Sequence, residues 1–333
     1  MEGNYKEILN DLVEFGLEEG SCVLFVGPEL IKINGKDYNE AFYETLPEKA
    51  DEKEMDKQKV RYNFDEKIWH FSSSTIRALF NKQFSRFLRK NVETNLPVFH
   101  KLASIPFPLI VSLIPDNTLE KAFSNYENFN FNFKSHSIDS EVPVPLMDNI
   151  LIYNIFGNIK NRKYVFSHFD YLQFIRDYEN EGFPTRFSSA IKRANYFIFV
   201  GFEFDKWYNI FLFYILHEIK KEADKFSINE QSVEELYNKL SEENLKLVFL
   251  DKNSEIFIND LYEKAKEEGI LRDIIPKKEY LQKMIISNQE VIDKIKERMN
   301  VVEPLEKRKL ELDLEIVEKD NNELVKQLKN FEK

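Results

Sequence analysis

The chain has 333 residues, 43% of them hydrophobic and including 30 Phe and 15 Tyr, which is enough to bury a sizeable core and excludes global disorder. A formal net charge of −11 argues against direct nucleic-acid binding and against anionic lipid, since both reward a basic surface. A single cysteine, Cys22, excludes an internal disulfide and any multi-cysteine metal site. No apolar run approaches the ~20 residues of a membrane span and no secretory leader is evident, so the expectation is a cytoplasmic protein without a membrane partner.

Residues 5–17 place Ile8, Leu9, Leu12, Val13 and Leu17 at helical spacing, with Gly20 as the stop. The apolar run 22–26 predicts a buried strand, with Cys22 as core filler, and leads into Gly27, Pro28 and Glu29. The Lys- and Glu-rich stretch 47–60 predicts a solvated helix or loop. A helix over 74–89 carries Ile76, Leu79, Phe80, Phe84 and Leu88 on one side. PLIVSL (108–113) predicts a buried strand, and DNTLEKAF (116–123) a helix behind a capping acid. ILIYNI (150–155) predicts the next strand, ended by Gly157. Residues 164–175 predict a short strand passing into a helix, 186–195 a helix, and YFIFVGF (196–202) a buried strand. An aromatic helix over 207–221, a strand over 245–250 and a helix over 255–267 follow. Apolar strands alternating with helices predict an α/β fold over residues 1–268: a Rossmann-like, largely parallel sheet with helices on both faces.

Residues 278–333 differ in kind. Leu281, Ile285, Asn288, Ile292, Ile295, Met299 and Val302 recur at alternating steps of four and three as far as Pro304. Leu310, Leu314, Val317, Asn321, Leu324, Leu328 and Phe331 then repeat that spacing in a new register. The pattern predicts coiled-coil-type helices broken at Pro304, with an apolar seam that must meet another helix. Asn321 falls at a position where a buried amide fixes register. The seam can close within the chain around Pro304 or between chains, so a homo-oligomer or a protein partner is expected to engage these helices.

Four stretches carry the functional signal in a fixed order: VLFVGPEL (23–30), PLIVSLIPDNTLEKAF (108–123), LIYNIFGNI (151–159) and YFIFVGFEFDKWYNIFLFYIL (196–216). Together they resemble the sirtuin-like NAD-consuming family, in particular its bacterial branch associated with phage defence. The resemblance covers roughly residues 5–265. It implies NAD or ADP-ribose as the ligand and cofactor contacts at Gly27, Pro28, Glu29, Asp116, Gly157, Gly201 and Asp205. The same alignment implies that the working residues are gone. Matched on Leu119-Glu120-Lys121, the family's catalytic Asn falls at Ile114 and its Tyr at Pro115, while its His falls at Phe156. Isoleucine and phenylalanine can neither hold a water nor accept a proton. The second glycine of the phosphate loop is Glu29, whose Cβ and carboxylate both oppose a diphosphate.

Nothing else supplies the chemistry. His70 and His100 lie on apolar patterns that read as helical packing, His136 in a polar turn, and His217 on the aromatic helix, with no metal-ligand spacing among them. His168, two residues before Asp170, reads as a helix start. With 9 Gly in the chain, no G-x-x-x-x-G-K-[ST] loop occurs. Glu203 and Asp205 could pair with ribose hydroxyls, or Asp205 could cap the helix that follows it. The expectation is a catalytically degenerate sirtuin-like module without a certain cofactor, an oligomerising scaffold or partner-binding subunit in bacterial anti-phage defence. Two alternatives stay open: an NAD glycohydrolase with displaced catalytic residues, and a sensor that holds NAD or ADP-ribose without cleaving it.

Overall fold

A computed structural model describes residues 2–51, 54–92, 97–115, 118–127, 129–135, 142–158, 163–228 and 247–331. The chain divides into two compact units, Met1–Phe123 with Asn130–Arg272, and Ser124–Phe129 with Asp273–Lys333.

The first unit is built on a seven-stranded sheet. Its strands in chain order are β1 (Cys22–Val26), β2 (Leu109–Ser112), β3 (Phe131–Ser135), β4 (Ile150–Asn154), β5 (Tyr196–Val200), β6 (Asp224–Ile228) and β7 (Val248–Leu250). Their spatial order is β7-β6-β5-β1-β2-β4-β3, and every neighbouring pair is parallel. β1, β2 and β4 are buried at every position, as strands covered on both faces must be, and this is why they appear in the sequence as unbroken apolar runs. The result is the expected Rossmann-like α/β fold.

β6 was not foreseen, because its sequence DKFSI interrupts the apolar pattern. Lys225 is nevertheless buried there, its ammonium satisfied by the carbonyls of Lys221 and Ala223 at 3.1 and 2.6 Å. The helix expected over 5–17 is an α-helix, α1 (Glu2–Asp11), continued by a π-helical turn over Leu12–Leu17. Gly20 ends it at a φ of 64°. The described part of 47–60 is irregular and wrapped around Asp56, which accepts the N–H groups of Ala50, Gln58 and Lys59.

Two short hairpins follow β1, neither expected from the sequence. The first joins Lys32–Ile33 to Lys36–Asp37 through Asn34 and Gly35, both at positive φ, and delivers Asp37 as the N-cap of α2 (Tyr38–Glu44). The second pairs Val60–Asn63 with Ile68–Phe71. It buries Trp69 among Tyr62, Phe42 and Phe80, the last from α3 (Ser74–Asn91), while the indole N–H donates to Asn39 Oδ1 at 2.9 Å. Each such fully buried aromatic contributes about 2–3 kcal/mol relative to exposure. Further helices are α4 (Pro97–Ser104), α5 (Thr118–Phe123), α6 (His168–Glu181), α7 (Thr185–Arg193), α8 (Trp207–Ile219) and α9 (Ser254–Glu267). Ser167 and Asp170 form a capping box at the start of α6.

The second unit contains α10 (Lys277–Met299) and α11 (Pro304–Phe331), which pack against each other across the turn 300–303. Pro304 begins α11, a first-turn position where its missing N–H costs nothing. Lys296 pairs with Glu318 at 2.8 Å and Arg298 with Glu306 at 2.5 Å. Leu310, Leu314, Val317, Asn321, Leu324 and Leu328 are all buried or half-buried, so the seam meets a helix of its own chain. The unit also holds a short antiparallel ladder between Tyr126–Glu127 and Ile275–Pro276. Among the described residues no helix is long and apolar enough to cross a membrane.

Candidate nucleotide cleft

The sheet's switch point lies between β1 and β5. The chain leaves β1 toward β2 and leaves β5 toward β6, on opposite sides, and in open α/β sheets ligands bind where such departures diverge. Here the two departing loops lie against each other. Gly27 N–H donates to Val200 O at 2.8 Å, and Glu29 N–H to Gly201 O at 3.2 Å. A Cβ on Gly27 would stand 2.0 Å from Gly201 O, and one on Gly201 would stand 2.7 Å from Leu30 N, besides requiring a φ of 69°. Both glycines therefore serve the contact between the loops.

The donors of the first loop are used up by the same closure. Leu30 N–H reaches Gly27 O at 3.4 Å and Ile31 N–H reaches Pro28 O at 3.1 Å, while Pro28 has no N–H. A phosphate-binding loop works by presenting unpaired N–H groups, and every N–H from Gly27 to Ile31 already has an acceptor.

Charge reinforces the point. Glu29 projects beside the closed loop and pairs with Lys67, which also pairs with Glu203 at 2.8 Å. Lys32 approaches Glu29 at 3.7 Å. Lys67 ends the turn of the second hairpin, where Asn63 Oδ1 accepts the N–H groups of Asp65 and Glu66. Its φ of 53° is one that non-glycine residues rarely adopt, at a cost of about 1–2 kcal/mol. Burial alone would lower the Lys67 ammonium, but Glu29, Asp37 and Glu203 together hold it above its ordinary value. Burial, and then the charge of Glu29, push the Glu203 carboxyl up against the pull of Lys67. Burial likewise pushes the Asp37 carboxyl up, with Lys67 opposing.

Beside this cluster opens a cleft of about 450 Å³, its solvent mouth included, bordered by Pro28, Lys67, Phe156, Tyr171, Tyr208 and Asn209 among others. Tyr171 and Tyr208 stack at 4.3 Å and 17°. Phe156 meets the rings of Tyr171 and Phe174 edge-on, at 5.4 and 5.1 Å. Burial pushes the phenols of Tyr38, Tyr171 and Tyr208 well above their ordinary value, so they remain protonated. The lining is mostly aromatic, and no histidine is among its described residues.

Of the residues that the sequence suggested, Gly27, Pro28, Glu29 and Gly201 are brought together and Phe156 lines the cleft. Gly157, at a φ of 85°, opens the short hairpin with Lys163–Tyr164, and Ile114 is buried. Asp116 lies outside the described residues. Asp205 requires a correction. Its side chain is 61% exposed and pairs with Lys206 at 2.5 Å, and Lys206 rather than Asp205 occupies the N-cap of α8, without a side-chain cap. Glu203, two residues earlier, is the acid that faces the cluster. His70 also differs: it lies exposed on a strand, not on a helix. Asp170 is held by Arg77 at 2.6 Å and by Ser167.

Sequence reasoning missed Asp37, Lys67 and Asn209. The Asn34-Gly35 pair was a legible signal for the turn that places Asp37. Lys67 pairs with a residue 38 positions away, and no local pattern announces such a contact.

Residues 115–256 match the family model of the SIR2-like domain. Over those residues, fewer than half of its length, the chain is similar to the SIR2-like domain. No curated protein matches it. SIR2-like domains are NAD-related, and the residues present here do not fit that cofactor: the N–H groups from Gly27 to Ile31 are paired, the Glu29 carboxylate stands beside them, and Phe156 lines the cleft. Among the described residues no group of His, Cys, Asp or Glu is placed to hold a metal ion.

Proposed function

We propose that the chain is a catalytically silent sirtuin-like module that neither cleaves nor holds NAD and acts as a scaffold or partner-binding subunit. The observation that carries this reading is the closure of the Gly27 loop onto Gly201, which leaves no N–H for a diphosphate. Phe156 supports it, because a phenyl ring cannot take a proton from a ribose hydroxyl. A setting in bacterial anti-phage defence rests on the resemblance alone. Assembly is assigned to the helical tail. Since Leu310 and Ile292 are buried there, the surface left for a partner is the opposite face of α11, where Leu305, Leu312 and Ile316 are 91%, 60% and 59% exposed.

Thermal unfolding in the presence of NAD and of ADP-ribose tests the reading. A ligand at a hundred times its Kd stabilises by about 2.7 kcal/mol, a shift easily read in a melting curve. No shift is expected with either at millimolar concentration. A saturable shift without nicotinamide release would favour the sensor alternative instead.

A further inference from the structure

The closed loops are fastened by side chains as well as by their own backbone. Glu29 belongs to the loop after β1 and Glu203 to the loop after β5, and both carboxylates pair with the ammonium of Lys67, the second at 2.8 Å. Lys67 comes from neither loop; it ends the turn of the hairpin that pairs Val60–Asn63 with Ile68–Phe71. One ammonium therefore ties together the two segments whose backbones meet at Gly27 and Gly201. The Lys67, Glu29 and Glu203 side chains are 18%, 20% and 25% exposed, so solvent screens them less than a surface pair. Lys32 and Lys206 also face these acids, each from one side alone. Lys32 approaches Glu29 at 3.7 Å from an exposed position, and Lys206 pairs with the exposed Asp205 beside it. Without Lys67 the two carboxylates would confront each other, and the charge of Glu29 already helps to push the Glu203 carboxyl up.

The hairpin is itself anchored. Trp69 N–H donates to Phe166 O at 2.8 Å, the Trp69 indole to Asn39 Oδ1 at 2.9 Å, and Ser72 N–H to Lys59 O at 2.9 Å. Lys67 and Trp69 both border the cleft, so the hairpin forms part of its rim. We propose that this hairpin is a strap with Lys67 as its ionic clasp, and that the Gly27 and Gly201 loops stay shut only while the clasp is made. Lifting the strap sets the two acids against each other and frees the N–H groups of Gly27 and Glu29. The clasp also explains a lysine at a φ of 53°: glycine would sit there without strain, but it has no side chain to reach the acids. The inference rests on the reading of the loops as closed and adds what keeps them so; its test follows the loop amides and not NAD.

Amide hydrogen exchange of the full chain tests this, resolved to the segment 27–31 with β2 as internal reference. Lys67→Met is expected to speed exchange over 27–31 by about tenfold or more while β2 stays as in the parent. Lys67→Arg should remain within about threefold of the parent, since a guanidinium fork can pair with both carboxylates. Adding Glu29→Gln and Glu203→Gln to Lys67→Met should bring exchange back to within about threefold of the parent, because the repulsion is gone. A hairpin that had merely lost its structure would not recover in this way. Should Lys67→Met fail to fold, this triple variant is compared with Glu29→Gln, Glu203→Gln alone; equal exchange is expected, and faster exchange in the triple variant would overturn the clasp. Unchanged exchange over 27–31 in Lys67→Met, an equal acceleration in β2, or no recovery in the triple variant would overturn it too. NAD-induced protection of 27–31 in the parent would instead overturn the functional reading above and not the clasp.

Discussion

Gly27 and Gly201 meet backbone to backbone, close enough that a Cβ on the first would stand 2.0 Å from the carbonyl oxygen of the second. The site is decided at this contact. In a nucleotide fold the loop after the first strand stays open so that its N–H groups can face an anion. In this chain the loop after β5 lies against it, and Gly27 and Gly201 serve that contact.

Gly27→Ala should therefore destabilise the fold. The methyl group would also lie 2.9 Å from Phe202 Cδ2, so the loops would have to part and strain the bonds from Gly27 N–H and Glu29 N–H. The expected cost is about 2–4 kcal/mol, read from urea unfolding as a lower midpoint with an unchanged slope. A cost under ~0.5 kcal/mol would mean that the contact is loose.

Arg272 closes the first unit from its far end. Its guanidinium donates to four backbone carbonyls, those of Met147 at 3.1 Å, Ala103 at 3.1 Å, Ile105 at 2.5 Å and Phe107 at 2.7 Å. Burial lowers it to about 10, which still leaves it charged at neutral pH. Arg272→Met should cost about 3 kcal/mol by stranding those acceptors, and Arg272→Lys should recover only part of it, because an ammonium cannot span the fork. Full recovery by lysine would show that charge alone matters.

Asp56 sets an acid limb of stability. Burial pushes its carboxyl up, but the N–H groups of Ala50, Lys59 and Gln58 and the Lys59 ammonium outweigh that and hold it down at about 2. A carboxyl lowered on folding stabilises the protein above its unfolded value of about 3.9, and that contribution is lost as the pH falls toward 2. Asp56→Asn should be less stable than the parent at pH 7, and the difference should close between pH 4 and about 2. A gap that stays constant over this range would remove Asp56 as the cause. The readout is the melting temperature of both proteins across the range.

Restoring the family's side chains should not restore chemistry. With Phe156→His and Ile114→Asn together, the loop from Gly27 to Ile31 still has all its N–H groups paired and Glu29 in place. No nicotinamide release is expected from this variant, and release would show that the loops can separate to admit NAD.

The sheet was legible because its central strands are buried on both faces, which forces apolar runs such as Val23–Val26 and Phe197–Val200 into the sequence. β6 escaped because Lys225 and Ser227 occupy buried positions that only neighbouring carbonyls and the fold make tolerable. In the tail the steps of four and three correctly picked out Leu310 to Leu328 as the covered face, since Leu305, Leu312 and Ile316 off that pattern are exposed. The site was half legible. Gly27 and Gly201 were marked by their agreement with the family pattern, Glu29 and Phe156 by their departures from it. What the glycines do instead depends on β1 and β5 being neighbours, a relation across more than a hundred residues. Lys67 and Asn209 became visible only once the hairpin and α8 were in place.

The central claim is that this sirtuin-like pocket is closed to NAD, and nicotinamide release from NAD by the purified chain at high concentration tests it most directly. The account predicts no release above a protein-free control after overnight incubation. Release proportional to protein concentration would contradict it, and would mean that the Gly27 and Gly201 loops open in solution.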